Sequence, residues 1–193
     1  MLQASGLSVK TGTIVDATLI GAPSSTKNAD KKRDPEMHQT RKGQQWYFGM
    51  KPHIGVDSQS GLVHSAVVTA ANVHDKHPLP DLLHGDKRRV YGDSAYASQK
   101  ELIQGKAPNA LDFTNERTRK AGCEVDEVKK AKNRNKSRIR ARVEHVFAVV
   151  KRLWGCDKVR YLGLAKNATR AFVALAMANI YLARGPLLQQ VRA

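Results

Sequence analysis

The chain has 193 residues and a formal net charge of +16, from 33 Lys and Arg against 17 Asp and Glu. This length suits one domain with a real core, and no apolar run reaches the roughly 20 residues that span a bilayer. A sequence pI of about 10.1 favours a polyanionic partner. Residues 1–10 lack the pattern of a signal peptide, so we expect a cytoplasmic protein without a membrane segment.

The first predicted element is a strand at 12–20. Its residues are β-branched or apolar on both alternating faces, as in a central strand buried on both sides. Asp16 interrupts this run. A buried carboxylate must be paired, bound to a cation or shifted in pKa, while a turn or strand-edge position is the equally good alternative.

Residues 21–43 are rich in polar and basic residues and poor in apolar ones, which predicts a mobile basic loop. Two strands follow, at 45–57 and 62–70. A hairpin-type connection joins them and has Gly61 where a positive φ is wanted. We interpret Asp57 as a turn residue rather than a metal ligand.

A short helix at 80–84 precedes a strand at 89–93 and a helix that Ser98 begins and Gln104 ends. Asp93 therefore lies at the carboxyl end of a strand, where ligand sites gather in open α/β sheets. An ordinary Gly-Asp-Ser turn explains the same residues equally well.

A weak strand at 110–113 and a charged, linker-like segment at 117–135 come next. Near the end of the chain, 167–184 is apolar over most of a helical circumference, which predicts a largely buried helix. Gly185 and Pro186 end it, and 185–193 is a C-terminal tail.

Residues 138–153 form the most informative stretch, a predicted helix with an apolar stripe on one side. The stripe consists of Ile139, Val143, Val146, Phe147, Val150, Leu153 and Trp154. Arg140, Glu144 and Lys151 lie beside it, within about 40° of one another, because their spacings nearly close whole turns. Without acidic partners from other elements, a solvated Arg140–Glu144 pair explains this pattern.

Positive charge is concentrated around this helix. Between Lys129 and Arg170 there are 14 Lys or Arg against two acids, which favours nucleic acid as the partner.

The order of elements predicts an α/β fold with a mixed sheet of about five strands flanked by helices. Asp16, Asp93 and Glu144 lie on three of these elements. If they converge, they form a hard-oxygen site for Mg²⁺ or Mn²⁺. Two such ions about 4 Å apart activate a nucleophile and stabilise the leaving oxygen of a phosphodiester.

Three segments carry a resemblance to a known family: Thr-Ile-Val-Asp-Ala-Thr at 13–18, Tyr-Gly-Asp-Ser-Ala-Tyr at 91–96, and Arg140-x₃-Glu144-x₆-Lys151. They resemble the DDE transposases of bacterial insertion sequences, in particular the insertion-sequence-five family within the insertion-sequence-four-like superfamily. The Trp-Tyr-Phe-Gly-Met-Lys segment at 46–51 resembles the strand that follows the first aspartate in that group.

The resemblance implies a ribonuclease-H-like catalytic domain at 13–184 after a short lead-in at 1–12. Asp16, Asp93 and Glu144 would be the catalytic metal ligands for two Mg²⁺ or Mn²⁺ ions. The implied activity is DNA strand cleavage, followed by attack of the freed 3′-hydroxyl on target DNA. The protein would act as a homo-oligomer on transposon ends and target DNA, in association with the bacterial nucleoid.

By the same resemblance, Arg140 and Lys151 would hold the transposon end near Glu144, as a bidentate fork and a point charge. Lys136, Arg138 and Arg142 in the same basic stretch are further predicted DNA contacts.

Two features depart from the family pattern. Ser137 stands where many members of the superfamily have Tyr, and the helical N-terminal region of full-length relatives is missing. We therefore expect a truncated copy or the downstream product of a split reading frame. The alternatives are an inactive DNA-binding remnant that interferes with a full-length transposase, and a ribonuclease or repair nuclease of the same fold.

Overall fold

A mixed seven-stranded sheet forms the centre of the protein in the computed structural model, which describes residues 12–84, 87–97, 99–118 and 126–191, with the backbone alone for 190 and 191. The strands are β1 (Gly12–Ala17), β2 (Ile20–Gly21), β3 (His38–Lys42), β4 (Gln45–Asp57), β5 (Val63–Ala70), β6 (Arg89–Tyr91) and β7 (Leu111–Asp112).

Five of these strands make one continuous path in the order β5-β4-β1-β6-β7. Strand β4 is antiparallel to both of its neighbours β5 and β1, and β1, β6 and β7 are parallel. The predicted strand at 45–57 is confirmed, and so is the turn after it: Gly61 has φ +73°, and the Asp57 carboxylate accepts from the Ser60 amide at 2.7 Å.

Two short strands were not predicted. β2 and β3 pair with the first half of β4. β3 corrects the loop prediction for part of 21–43, and its polar, mostly exposed sequence His-Gln-Thr-Arg-Lys explains the error. Such a strand is held by backbone hydrogen bonds and leaves no apolar alternation in the sequence. The predicted first strand also ends early, at Ala17, before the break that precedes β2.

The helices are α1 (Leu79–Leu82), α2 (Lys100–Lys106), α3 (Glu127–Arg140), α4 (Arg142–Phe147), α5 (Leu164–Leu182) and α6 (Arg184–Val191). A π-helical segment, Ala148–Leu153, follows α4 directly. Helix α3 lies largely in the predicted linker, and it buries no side chain, so apolar periodicity could not reveal it. Asp126 caps it by accepting from the Lys129 amide at 2.9 Å. The predicted helix start at Ser98 lies outside the described residues.

The predicted helix at 138–153 is divided at Ala141 and changes to π geometry at Ala148. Val143, Val146 and Val150 are buried as predicted. Leu153, in contrast, is 56% exposed. A π turn contains more residues than an α turn, so Leu153 rotates away from the stripe that 100° spacing predicts.

Helix α5 is less buried than predicted. Ala171, Leu175 and Ala178 pack against the sheet, but Val173 and Met177 on the other side are at least 50% exposed. Apolar composition over the whole circumference therefore does not mean that both sides are covered. The helix stops at Leu182, and α6 then passes through Gly185 and Pro186, since proline is tolerated in a first helical turn.

The sheet has a core on each face. One core lies between the sheet, α4 and α5, and the other lies under α1 and α2. Met37, from the irregular segment before β3, is 2% exposed and belongs to the first core. The same segment caps α5, because Asp34 accepts from the Gly163 amide at 2.7 Å. Residues 34–37 are thus attached to the body of the protein, whereas 23–33 are exposed.

Replacing Met37 by Ala tests this attachment. We expect the free energy of unfolding to fall by about 2–5 kcal/mol, the cost of emptying a buried methionine site. Urea denaturation measures it. Met177→Ala is the matched control, because Met177 is 50% exposed on α5, and its effect should stay within about 0.5 kcal/mol. Equal effects of the two changes would contradict the anchoring role of Met37.

Candidate active site

Asp16 is the penultimate residue of β1, and its side chain is only 16% exposed. Burial raises its pKa from 3.8 to about 6. The hydrogen bond from the Ala17 amide, at 2.8 Å, and the positive charge of Arg140 oppose this shift. The negative charges of Asp93 and Glu144 increase it. Asp93 and Glu144 are therefore each close enough to Asp16 to repel its carboxylate.

Asp93 follows the parallel strand β6. In the register of β1 and β6, Ile14 lies beside Tyr91, so Asp16 and Asp93 each lie two residues beyond the same pair. The carboxyl ends of parallel strands meet at one edge of a sheet, which places both acids there. The Asp93 carboxylate accepts from the Ala95 amide at 2.9 Å, so this turn orients the side chain.

Glu144 reaches the same place from α4. Its neighbours Val143 and Val146 are fully buried, which fixes the helix against the sheet while the Glu144 side chain remains exposed. One turn earlier, the Arg140 Nε lies 3.6 Å from Asp16 Oδ2. This ion pair joins α3 to the end of β1.

Lys151 lies on the π-helical segment and points at the break after β1. Its ammonium group donates to Thr18 Oγ1 at 3.2 Å and to the Leu19 carbonyl at 2.9 Å. Burial lowers its pKa. Because of these contacts, Lys151 has a fixed position rather than a solvated one.

A cavity of about 600 Å³ unites these residues, and Asp16, Asp93, Arg140, Glu144 and Lys151 all line it. Further charged residues in its wall are Arg41, Lys42, Lys51, Asp75, Asp157 and Lys158. The wall therefore carries six basic and five acidic side chains, an arrangement that suits a polyanion bound through an intervening cation.

The other predicted DNA contacts do not line this cavity. Lys136 donates to the Thr114 carbonyl at 2.9 Å, and Arg142 donates to the carbonyl of Ser58. Both therefore have bonds within the protein. Arg138 is exposed on α3 and belongs to its solvated basic surface.

Lys51 and Asp75 are among the residues of the cavity that were not recognised from the sequence. Lys51 and Asp75 form an ion pair of 3.0 Å, with side chains 16% and 27% exposed. The segment at 46–51, which resembles a strand of the family, ends with Lys51, so the sequence did contain a signal for this residue. Asp75 lies in an irregular segment between β5 and α1, where no periodicity distinguishes one acid from another.

The donor set of the three acids fits Mg²⁺ or Mn²⁺, since these ions prefer carboxylate oxygen, and a bound cation would relieve the repulsion at Asp16. Among the described residues, however, no three His, Cys, Asp or Glu side chains are close enough to hold an ion as they stand. Arg140 supplies the positive charge next to Asp16 instead.

The raised pKa of Asp16 predicts a pH dependence of stability. The folded state binds this proton more tightly than the unfolded state, so the contribution of Asp16 is fully present below pH 3.8 and is lost as pH rises through about 6. Relative to wild type, Asp16→Asn should therefore gain stability between pH 4 and 7, by at most about 3 kcal/mol.

Urea denaturation at several pH values measures this gain. Asp30→Asn, in the exposed segment before β3, is the control and should show a constant difference from wild type. A pH-independent difference for Asp16→Asn would contradict the effect of burial on its carboxyl group.

Comparisons with known proteins show the fold and the family of the chain. The chain resembles the piggyBac transposase, solved by cryo-EM as a synaptic complex with hairpin DNA, with a TM-score of 0.60 and 10% sequence identity. The match covers 94% of this chain and 48% of that one, so the chain spans about half the length of that protein and shares its mixed α/β fold. In the described ranges, no helix is both long and apolar enough to cross a bilayer. A family model described as "Transposase DDE domain" matches residues 7–180, most of the chain, and the protein therefore belongs to the DDE transposase family.

Proposed function

We propose that this chain is the catalytic core of a DNA transposase, which cleaves DNA strands and transfers the freed 3′-hydroxyl to target DNA. The observation that carries the proposal is the convergence of Asp16, Asp93 and Glu144, from three separate elements, on one cavity that Arg140 and Lys151 also line. The path β5-β4-β1-β6-β7, antiparallel and then parallel, supports a ribonuclease-H-like domain at 13–184.

In this proposal Asp16, Asp93 and Glu144 hold one or two Mg²⁺ or Mn²⁺ ions. When bound, such an ion lowers the pKa of an attacking hydroxyl or water and stabilises charge on the leaving oxygen. Asp16 and Asp93 are fixed by the sheet and by hydrogen bonds from the Ala17 and Ala95 amides. Glu144 is exposed, and its side chain completes the site from the opposite wall.

The cations of the cavity bind and orient the DNA backbone. Lys151, held by Thr18 and Leu19, offers a point charge to a phosphate near Glu144. Arg140 exchanges partners: it pairs with Asp16 in the free protein and with a phosphate when DNA and the metal ion enter. This exchange keeps the acids partly neutralised until substrate binds.

Several finer assignments belong to the same proposal. The motif spacing supports the insertion-sequence-five family of bacteria, and the substrate would be transposon ends and target DNA bound by a homo-oligomer at the nucleoid. Arg138 on the exposed surface of α3 would contact DNA outside the cavity. Lys136 and Arg142 would do so only if they left their bonds within the protein.

Nicking of supercoiled plasmid DNA in Mn²⁺ tests the proposed function. We expect Glu144→Gln to reduce the rate by at least about 100-fold, because an amide lacks the charge that holds a divalent ion. Its affinity for DNA should be unchanged or higher, since a negative charge near phosphate is lost. Fluorescence anisotropy with a labelled duplex measures that affinity.

Glu101→Gln is the matched control, because Glu101 is exposed on α2 and does not line the cavity. It should nick DNA at the wild-type rate. Equal nicking by wild type and Glu144→Gln would show that Glu144 has no part in the chemistry.

Arg140→Gln should separate metal binding from DNA cleavage. Without DNA, removing the guanidinium next to Asp16 should tighten Mn²⁺ binding, by about 3- to 10-fold for a charge pair in this partly buried setting. Nicking should nevertheless become slower, because a phosphate ligand is lost. Calorimetry measures the first effect and the plasmid assay the second, and weaker Mn²⁺ binding in the variant would refute the partner exchange.

A binding module without catalysis is the second candidate. It is favoured by the absence, among the described residues, of three acids already arranged for an ion. Wild-type protein that binds the duplex but does not nick plasmid in Mn²⁺ would establish this reading, and the protein would then act as a competitor of an intact transposase. Comparing DNA, RNA and hybrid duplexes as substrates tests the remaining alternative, a ribonuclease or repair nuclease.

A further inference from the structure

We propose that Lys51 is a phosphate-binding residue of the cavity and that Asp75 is its positioning residue. Neither belongs to the three-acid site or to the Arg140–Lys151 signature. The inference rests on the proposed function, because it takes the ligand to be the DNA backbone. It adds a second set of contacts, on the other face of the sheet.

The register of the sheet shows why Lys51 reaches the cavity. Asp16 pairs with Ile54 and Ala17 pairs with His53, so Asp16 and His53 point to opposite faces of the sheet. Lys51 lies two residues before His53 on β4 and shares its face. Because β1 ends at Ala17, the Lys51 side chain extends beyond the end of that strand, where the cavity opens.

Lys51 is held rather than free. Its ammonium group donates to Asp75 Oδ1 and to the Val73 carbonyl, both at 3.0 Å. An ammonium group has three N–H donors, and these two bonds leave one for a ligand in the cavity. The side chain is 16% exposed, so little of it other than its cavity-facing part meets solvent.

The surroundings of Asp75 indicate that its carboxylate pairs with Lys51 and not with His53. His53 is fully buried, with its Nδ1 3.9 Å from Asp75 Oδ1 and without a hydrogen-bond partner among the described residues. The Thr69 hydroxyl donates to the Ala70 carbonyl, so it accepts from His53 Nε2, at 2.9 Å. His53 Nδ1 therefore carries a lone pair, and burial lowers the pKa of His53 to about 4, which keeps it neutral at pH 7.

Tyr96 is a buried residue near these acids. It is 1% exposed, and burial together with the negative charges of Asp75, Asp16 and Asp93 raises its pKa. The Tyr96 hydroxyl group thus lies in the electrostatic field of Asp75, Asp16 and Asp93. Asp75 lies between the buried His53 and the cavity, and its ion pair with Lys51 holds the ammonium group towards the site.

With Lys51 on one face and Arg140 and Lys151 on the other, cations lie on both sides of the sheet edge that carries Asp16 and Asp93. A DNA strand that crosses this edge would have successive phosphates bound from both faces. The competing interpretation of Asp75, as an additional metal ligand, gives a different result in the test below.

The first experiment uses fluorescence anisotropy with two short fluorescein-labelled duplexes of unrelated sequence, without divalent metal. Lys51→Met should weaken binding of both duplexes equally and reduce the slope of log affinity against log salt by about 1, the signature of one lost phosphate contact. Lys51→Arg should restore the slope. Lys106→Met is the matched control, since Lys106 is exposed at the end of α2 and outside the cavity.

A slope for Lys51→Met equal to that of wild type and of Lys106→Met would overturn the proposal. Circular dichroism and urea denaturation show whether each variant is folded. If Lys51→Met does not fold, Lys51→Gln provides the same comparison with a polar side chain. This readout does not depend on cleavage, so it stands even if Glu144→Gln shows that the chain has no nuclease activity.

The second experiment concerns Asp75→Asn. Loss of a negative charge alone should strengthen DNA binding, whereas loss of a positioning residue should weaken it. We expect weaker duplex binding, a KM for plasmid nicking raised about threefold with kcat within about twofold, and unchanged Mn²⁺ affinity of the DNA-free protein. A loss of Mn²⁺ affinity of tenfold or more would identify Asp75 as a metal ligand, and tighter DNA binding would exclude positioning.

Discussion

The gathering of negative charge around Asp16 is the constraint on which the rest of the structure depends. Asp16 ends a buried strand, and its ionisation is opposed by burial and by the charges of Asp93 and Glu144. Such a cluster is stable at neutral pH only when positive charge is close to it. Arg140 provides that charge at 3.6 Å in the free protein. The positive charge of the chain thus stabilises the acidic cluster locally, in addition to favouring a polyanionic partner.

The helical segment at the site consists of α3, α4 and the π-helical segment, and each of them positions a different charged residue. Helix α4 is fixed by Val143 and Val146, which hold Glu144 at the wall of the cavity. The π-helical segment after it turns Lys151 towards the break after β1, and π geometry is frequent at functional sites. Arg140, at the end of α3, is 26% exposed, and it is the cation that exchanges partners in the proposed function. An acid on a fixed helix and this cation therefore lie one turn apart in the same stretch of chain.

Much of the fold could be predicted from the sequence where burial leaves a pattern. The bounds of β4 and the turn at Asp57 followed from alternation and turn chemistry. That Asp16, Asp93 and Glu144 line one cavity was expected from the resemblance to DDE transposases, because the pattern around each acid alone had an equally good explanation. Strand β3 and helix α3 could not be predicted, because exposed elements carry no apolar periodicity. The exposure of one side of α5 could not be predicted either. It depends on which other elements cover the helix, and the sequence of the helix does not show this. Asp75 joins the site only through tertiary structure.

The cations show most clearly the limit of reasoning from composition. A net charge of +16 indicates a polyanionic partner but does not say which residues meet it. Lys136 and Arg142 donate to carbonyl groups of distant segments, so part of the charge serves to satisfy buried or half-buried acceptors. Lys51 and Lys151 also donate to carbonyls, yet both remain in the wall of the cavity. What distinguishes the two pairs is the end of β1: Lys51 and Lys151 reach the cavity beyond it, whereas Lys136 and Arg142 do not line the cavity.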